Sequence, residues 1–466
     1  MSHLPAPHGP VPTPRQLAWH EMPYYGFIHF TVNTFTDKEW GYGDESAAVF
    51  NPAALDCRQW ARVAREGGMG GLILTAKHHD GFCLWPSAHT EHSVKNSPWR
   101  NGKGDVVREF VDACHDAGLK AGLYLSPWDR NHADYGRPAY IDYYRRQLDE
   151  LLTQYGPLFE IWFDGANGGD GYYGGAREKR AIDAASYYGF PSLWEQIRRH
   201  QPDACIFGDN GSDHRWCGNE SGFLPVTSWA RMRRPGFHPG KVPETSGLDR
   251  LGSGDADGDA WRGAEVDVSI RPGWFWHAAE QPRPLDELQA IYQCSVERGG
   301  NLLLNLAPDT RGLIPEADAA RLRELKAFID RCEANDIAPG AAVSADTTAG
   351  GDGRFDAAHL TDGRADTCWA AADDARRAVI TLTFPERRVI HAVRIEEMIA
   401  CGQRIERFSV RVRTGWGQIS EVAIGTTVGA RRVVRFPPVA ATAVHLVIEQ
   451  SQAAPVLRRV GVHAHA

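Results

Sequence analysis

Long apolar runs are missing from this 466-residue chain, so no membrane-spanning helix is expected. Paired cysteines are missing as well. The nine Cys are scattered, odd in number and never spaced as CxxC, which argues against a disulfide framework and against a zinc ribbon. A basic excess is absent: the formal net charge is −8, so no nucleic acid or other polyanionic partner is implied. The start, Met1-Ser-His-Leu-Pro-Ala-Pro-His-Gly-Pro10, has neither a charged n-region nor an apolar h-region, so no signal peptide is expected. A cytoplasmic or periplasmic location follows, the reducing cytosol suiting the cysteines best. What remains is a composition of 42% hydrophobic and 24% charged residues, that of a soluble globular protein with room for two or three domains. Fifteen Trp is a high count; such rings fill cores or stack on sugars.

Residues 1–14 are Pro-rich and read as an extended segment. Strands and helices then alternate. Tyr25–Phe30, Gly71–Thr75, Ala121–Ser126, Leu158–Phe163, Ala204–Gly208 and Asn301–Asn305 are apolar, strand-like runs. Amphipathic helices are predicted from Asp56 to Glu66, from Asp105 to Gly118, from Tyr140 to Tyr155 and from Pro315 to Cys332. Strand-then-helix order with near-continuous apolar strands predicts a parallel sheet, and residues 15–338 have the length of a (β/α)8 barrel. The Gly-, Pro-, Asp- and Arg-rich stretch 230–262 reads as a long mobile loop over the barrel mouth. From about residue 339 helical periodicity vanishes. Short alternating segments at 379–384, 389–395, 408–413, 432–436 and 444–448 predict an antiparallel β-sandwich over 339–466.

Chemistry concentrates where the predicted strands end. Asp164 closes the run Leu158-Phe-Glu-Ile-Trp-Phe163 and precedes Gly165-Ala-Asn-Gly-Gly169, which mounts one carboxylate on a rigid strand end before an open loop. A turn or helix-capping Asp is the plainer reading of that position. The second strand ends in Lys77-His-His-Asp-Gly-Phe-Cys-Leu-Trp85, and His29 ends the first. Two adjacent His on an extended chain point to opposite sides; they suit sugar hydroxyls, a metal ion or a purely structural role. No second carboxylate-rich motif accompanies them, so metal is the lesser reading. Glu220 lies in a polar, glycine-punctuated loop with Arg215 and Trp216. Alone it reads as a solvated charge; with Asp164 it supplies the second carboxylate that glycoside cleavage needs.

Five motifs together resemble the α-L-fucosidases of glycoside hydrolase family 29. They are Ile28-His-Phe30, Thr75-Ala-Lys-His-His-Asp-Gly-Phe82, Tyr124-Leu-Ser-Pro-Trp-Asp-Arg130, Trp162-Phe-Asp-Gly-Ala-Asn167 and Asn301-Leu-Leu-Leu-Asn-Leu-Ala-Pro308. Arg215-Trp-Cys-Gly-Asn-Glu220 and Ser269-Ile-Arg-Pro-Gly-Trp274 resemble the branch that prefers α-1,3/1,4-linked fucose. Leu360-Thr-Asp-Gly-Arg-Ala-Asp-Thr-Cys-Trp369 and Gly402-Gln-Arg-Ile405 resemble the discoidin-like jelly roll appended to these enzymes.

The resemblance implies a retaining exo-α-L-fucosidase with no cofactor and no metal, acting on terminal fucose of oligosaccharides or glycoconjugates. Asp164 becomes the expected nucleophile and Glu220 the acid/base. His29, His78, His79, Trp85, Tyr124, Trp162, Arg215, Arg271 and Trp274 become expected substrate contacts, with Glu265 helping to hold the rim. A related retaining glycosidase or transfucosidase is the alternative, and a glycan-binding protein without activity is a rival of another class. Two carboxylates argue against the latter, since binding alone needs neither. The sandwich is expected to pack against the barrel rather than to bind sugar. Oligomeric state is not read from the sequence.

Overall fold

The computed structural model describes residues 4–208, 213–234, 245–415 and 417–464, with the backbone alone for 245–248. Eight parallel strands close into a barrel: β1 Tyr24–Ile28, β2 Gly71–Lys77, β3 Lys120–Leu125, β4 Glu160–Trp162, β5 Cys205–Phe207, β6 His214–Trp216, β7 Gly263–Ser269 and β8 Asn301–Leu306. Closure is by the first and last strands, with Tyr24 opposite Leu302 and Ile28 opposite Leu306.

Helix α1 (Pro14–His20) plugs the N-terminal end of the barrel. Trp19 stacks on His214 with ring centroids 4.4 Å apart and donates to the Tyr25 hydroxyl at 2.8 Å. The outer ring contains α2 (Cys57–Glu66), α3 (Val106–Asp116), α4 (Pro138–Gln154), α5 (Phe190–His200), α6 (Thr245–Ser253), α7 (Leu285–Ser295) and α8 (Glu316–Ala334). Helix α2 shows why such segments are helical. The Asp56 side chain caps it through Arg58 N, and Trp60, Ala61, Val63 and Ala64 form its buried stripe.

Regular alternation of strand and helix breaks once. The chain passes from β5 to β6 through Gly208–Asp213, far shorter than the crossover of about a dozen residues that a helix takes. Strands β6 and β7 were not legible as strands. His-Arg-Trp and Gly-Ala-Glu-Val-Asp-Val-Ser carry polar residues on the face that points into the barrel, so they lack the apolar signature. The expected loop 230–262 is largely built, although 235–244 lie outside the described residues. Its flanks form a two-stranded ribbon, Arg231–Met232 against Ala260–Trp261, and helix α6. On the C-terminal flank Trp261 donates to His20 of α1 at 3.1 Å.

After α8 the chain forms an antiparallel sheet domain. Its strands are β9 Ala342–Ala345, β10 Trp369–Ala370, β11 Ala378–Glu397, β12 Ile405–Arg413, β13 Ile419–Gly425, β14 Arg432–Ser451 and β15 Val456–Ala464. Two pairs of segments that read as separate strands are continuous. Strand β11 runs through Pro385 and β14 through Pro437-Pro438, with register shifts between Thr383 and Arg388 and between Ile390 and Ala392 absorbing the two irregularities. All nine cysteines are unpaired. Among the described residues no helix is long and apolar enough to cross a membrane.

Candidate active site

The C-terminal ends of the barrel strands surround a cavity of about 380 Å³, where the chemistry of such barrels is placed. Asp164 lies two residues beyond the end of β4 at Trp162. Its Oδ2 accepts from the Tyr124 hydroxyl at 3.0 Å and its Oδ1 from the Ala166 amide at 2.7 Å. Burial pushes its proton affinity up, and those two bonds pull it back by favouring the ionised form.

The histidine pair is held from behind. Lys77, the last residue of β2, is fully buried. It bonds Asp129 at 3.1 Å and Gln147 at 2.9 Å, with the rings of Tyr143 and Tyr144 each 5.3 Å away. That anchor fixes the backbone from which His78 and His79 project. Ser126 Oγ donates to the Trp128 carbonyl at 2.7 Å, so it accepts from His79 Nδ1, also at 2.7 Å. The lone pair of His79 Nε2 then faces Asp164 Oδ2 across 3.7 Å. Two acceptors facing each other are suited to a donor between them, such as a hydroxyl. His29 shows the same logic. Asn305 gives its amide hydrogens to Ser269 Oγ and the Trp274 carbonyl, so its Oδ1 accepts from His29 Nδ1 at 2.8 Å. His78 stacks on Tyr124, and among the described residues its buried Nδ1 has no partner.

Burial lowers the proton affinity of all three rings, to about 3 for His29 and His79 and well below the ordinary value for His78. They are neutral donor–acceptor groups at working pH. His78, His79 and Asp164 also bring three ligand-type atoms within 4.8 Å of one another, the spacing of a possible cation site.

Glu220 reaches the cavity from the segment after β6 rather than directly after the fifth strand. Its Oε2 accepts from Trp274 Nε1 at 3.2 Å. Its proton affinity is raised, by burial first and then by the charges of Asp164 and Glu39, while the Trp274 bond opposes the rise. Trp162 and Trp274 line the same cavity. Tyr124 lies one step behind, reaching it through Asp164.

Four expected contacts lie elsewhere. Trp85 is 1% exposed and donates to Glu150 at 2.8 Å. The chain turns at Gly81, whose φ of 79° sends the following residues into the core behind the barrel. Arg215 precedes the cavity-lining Trp216 on a strand and so points outward; it binds the carbonyls of Leu251 and Trp229. Arg271 forms a two-pronged pair with Asp318, both bonds 2.8 Å, tying its turn to α8. Glu265 is sealed inside the barrel, where Trp162 Nε1 donates to it at 2.7 Å, so it is no rim residue.

The cavity also holds residues that the sequence did not single out. Glu39 accepts from the amides of Trp274 at 2.8 Å and Phe275 at 3.1 Å, ordering that turn. Asp267 accepts from Trp216 Nε1 at 2.7 Å, and burial holds its carboxyl well above the usual range. Trp40 stands 52% exposed at the rim, edge-on to His79. The acidic and aromatic run Asp37-Lys-Glu-Trp40 was the available signal for two of them.

An α-L-fucosidase family profile matches residues 14–333, which spans the whole barrel. The chain belongs to the α-L-fucosidase family of glycoside hydrolases. Over 98% of its length the enzyme is 40% identical to α-L-fucosidase 1 of Arabidopsis thaliana, covering 88% of that protein. A family 29 glycoside hydrolase from an unknown rumen bacterium superposes with a TM-score of 0.87 at 42% identity, covering 98% of this chain and 78% of that one. A Ruminococcus gnavus family 29 fucosidase solved in complex with fucose gives 0.88 at 29% identity, over 100% and 97% of the two chains. Residues 359–446 match a NedA-like, galactose-binding domain.

Proposed function

We propose that this glycoside hydrolase is a retaining exo-α-L-fucosidase that removes α-1,3- or α-1,4-linked terminal fucose from oligosaccharides or glycoconjugates. One observation carries the reading. Asp164 and Glu220 meet in one cavity from the segments that follow two different strands, and the charge of the first raises the proton affinity of the second. Burial raises the proton affinity of both; two hydrogen bonds favour the ionised form of Asp164, whereas Glu220 has one such bond and faces the charges of Asp164 and Glu39, a difference in the sense a double displacement uses. Asp164, with two hydrogen bonds to its carboxylate, attacks the anomeric carbon. Glu220 gives its proton to the leaving oxygen. The fucosyl ester on Asp164 is then cleaved by water that Glu220 deprotonates, and two inversions restore the original configuration.

His29, His78 and His79 serve as neutral partners for fucose hydroxyls, and Trp162 and Trp274 as apolar walls. No cofactor enters the scheme. The linkage preference rests on the resemblance of Arg215–Glu220 and Ser269–Trp274 to the selective branch. We take residues 339–466 as a second domain packed on the barrel. Proton NMR of the first-formed sugar tests the mechanism: α-L-fucose is expected first, and β-L-fucose first would overturn it. A panel of α-1,2, α-1,3, α-1,4 and α-1,6 fucosides tests the linkage, with activity on the second and third expected to dominate.

A further inference from the structure

Glu220 sits in an irregular segment. Between the end of β6 at Trp216 and the ribbon at Arg231 the backbone has neither helix nor strand, so no ladder of its own fixes its path. Its position depends on outside partners for its backbone groups. Close to Glu220 the turn is local: Asn219 Oδ1 accepts from Ser221 N at 3.1 Å, and Asn219 Nδ2 donates to Phe223 O at 2.8 Å. The barrel then holds Leu224, whose amide donates to Cys294 O at 2.9 Å, and Trp229, whose amide donates to Ser253 O at 2.8 Å.

Barrel bonds from Arg298 to Leu224 O at 2.6 Å and from Arg262 N to Ala230 O at 2.8 Å add to these, and a further set of anchors comes from the β-sandwich. Arg432 Nη1 donates to Val226 O at 3.0 Å, and Thr427 Oγ1 accepts from Ser228 N at 2.9 Å. Gln403 uses both ends of its amide here. Its Nε2 donates to Ser228 O at 3.0 Å, and its Oε1 accepts from Ala230 N at 2.7 Å. Gln403 is 1% exposed, so these bonds are sheltered from water.

The residues flanking Gln403 fix it in turn. Gly402 has φ 89°, and a Cβ there would lie 2.1 Å from His8 O. Arg404 binds the carbonyls of Ala454 at 2.7 Å and Cys401 at 2.9 Å. The Gly402-Gln-Arg-Ile405 motif of the second domain is thus a rigid bracket whose middle residue grips the segment bearing Glu220.

We propose that the β-sandwich works in the reaction as a positioning element, with Gln403 as its main contact and Thr427 and Arg432 as supports. They hold the 217–230 segment so that the Glu220 carboxyl meets the leaving oxygen. The proposal rests on Glu220 being the acid/base. A positioning role predicts a loss that depends on how much protonation the leaving group needs, which a merely structural contact does not.

The test uses full-length Gln403→Leu, with Thr427→Val as a second variant should the first fold poorly. Both are compared with Glu220→Ala on aryl fucosides of graded leaving-group pKa. Gln403→Leu is expected to lower kcat/KM about 10- to 100-fold on the poorest leaving group and to leave the best nearly unchanged. Thr427→Val should show the same trend more weakly. A uniform loss, or none, in folded variants overturns the proposal. If Glu220→Ala itself shows no dependence on leaving group, the acid/base reading fails and takes the proposal with it. If Glu220→Ala shows it and Gln403→Leu does not, the bracket alone is refuted.

Discussion

One barrel holds two groups of carboxylates and imidazoles, and only one of them opens to solvent. Glu160, His214 and Glu265 form the lower group; His78, His79 and Asp164 form the upper. In each, three ligand-type atoms lie within 4.8 Å. The lower group is fully buried. His214 Nε2 meets Glu160 at 2.8 Å, and Glu265 receives bonds from Tyr25 and Trp162. Burial pushes the Glu160 carboxyl up to about 8 and the Glu265 carboxyl well above its usual range. At 2.8 Å that N–O approach is a hydrogen bond, which already pairs the two groups with each other. In the upper group the His79–Asp164 gap is 3.7 Å and faces the cavity. Strand alternation links the two. Glu160 and Trp162, His214 and Trp216, and Glu265 and Asp267 lie two positions apart, on the same inward face and one layer apart. Depth in the barrel, rather than residue type, separates scaffold from chemistry.

The sharpest way to break this contrast is Asp164→Ala. Turnover is expected to fall on the order of 10⁴-fold or more on every fucoside, with the thermal midpoint little changed. Retained activity would strip the upper group of its role. His214→Ala should do the reverse. Removing one partner of a buried hydrogen-bonded pair leaves the other unsatisfied, at a cost of about 1–3 kcal/mol of stability. Denaturant unfolding should register that loss, while the kcat of the surviving folded fraction stays close to the parent value. Glu220→Ala should cost about 10²- to 10⁴-fold on oligosaccharides and little on aryl fucosides with good leaving groups, as measured by steady-state kinetics.

His78→Ala is a smaller effect. A hydroxyl left without its partner costs about 1–3 kcal/mol, so competitive inhibition by a fucose-mimicking iminosugar should weaken accordingly, and dialysis against EDTA should change nothing. Loss on chelation, restored by zinc, would recast the upper group as a metal site. The smallest effect is a shift in pH dependence. In the proposed acid/base role Glu220 must be protonated, and the Trp274 bond favours its ionised form. Trp274→Phe should therefore raise its pKa further and move the alkaline limb of kcat/KM to higher pH. Movement toward lower pH would assign that limb to another group.

Much of the upper group was legible in the sequence, for one reason. An apolar strand ending in a polar residue is visible in one dimension, so His29, His78, His79 and Asp164 stood out where their strands end. Trp85 shows the limit. It follows the same motif, but the turn at Gly81 carries it into the core, and nothing in the letters reports that turn's direction. Glu39 and Asp267 show the converse. Glu39 earns its place through amides of Trp274 and Phe275, far away in the chain, and Asp267 lies on a strand disguised by its own acidic residues.

The sequence by itself determined the local grammar: the apolar strands, the amphipathic helices, the change to short alternating segments after α8, and the motifs of the fucosidase family. These depend on periodicity and on neighbours along the chain. Only the tertiary structure decided which polar residue faces the cavity and which is sealed beneath it. It alone set Arg215 and Arg271 to structural duty and brought Gln403 of the second domain against the segment that carries Glu220. Such pairings join residues far apart in sequence, and burial and hydrogen-bond partners arise only when the barrel closes and the sandwich packs on it.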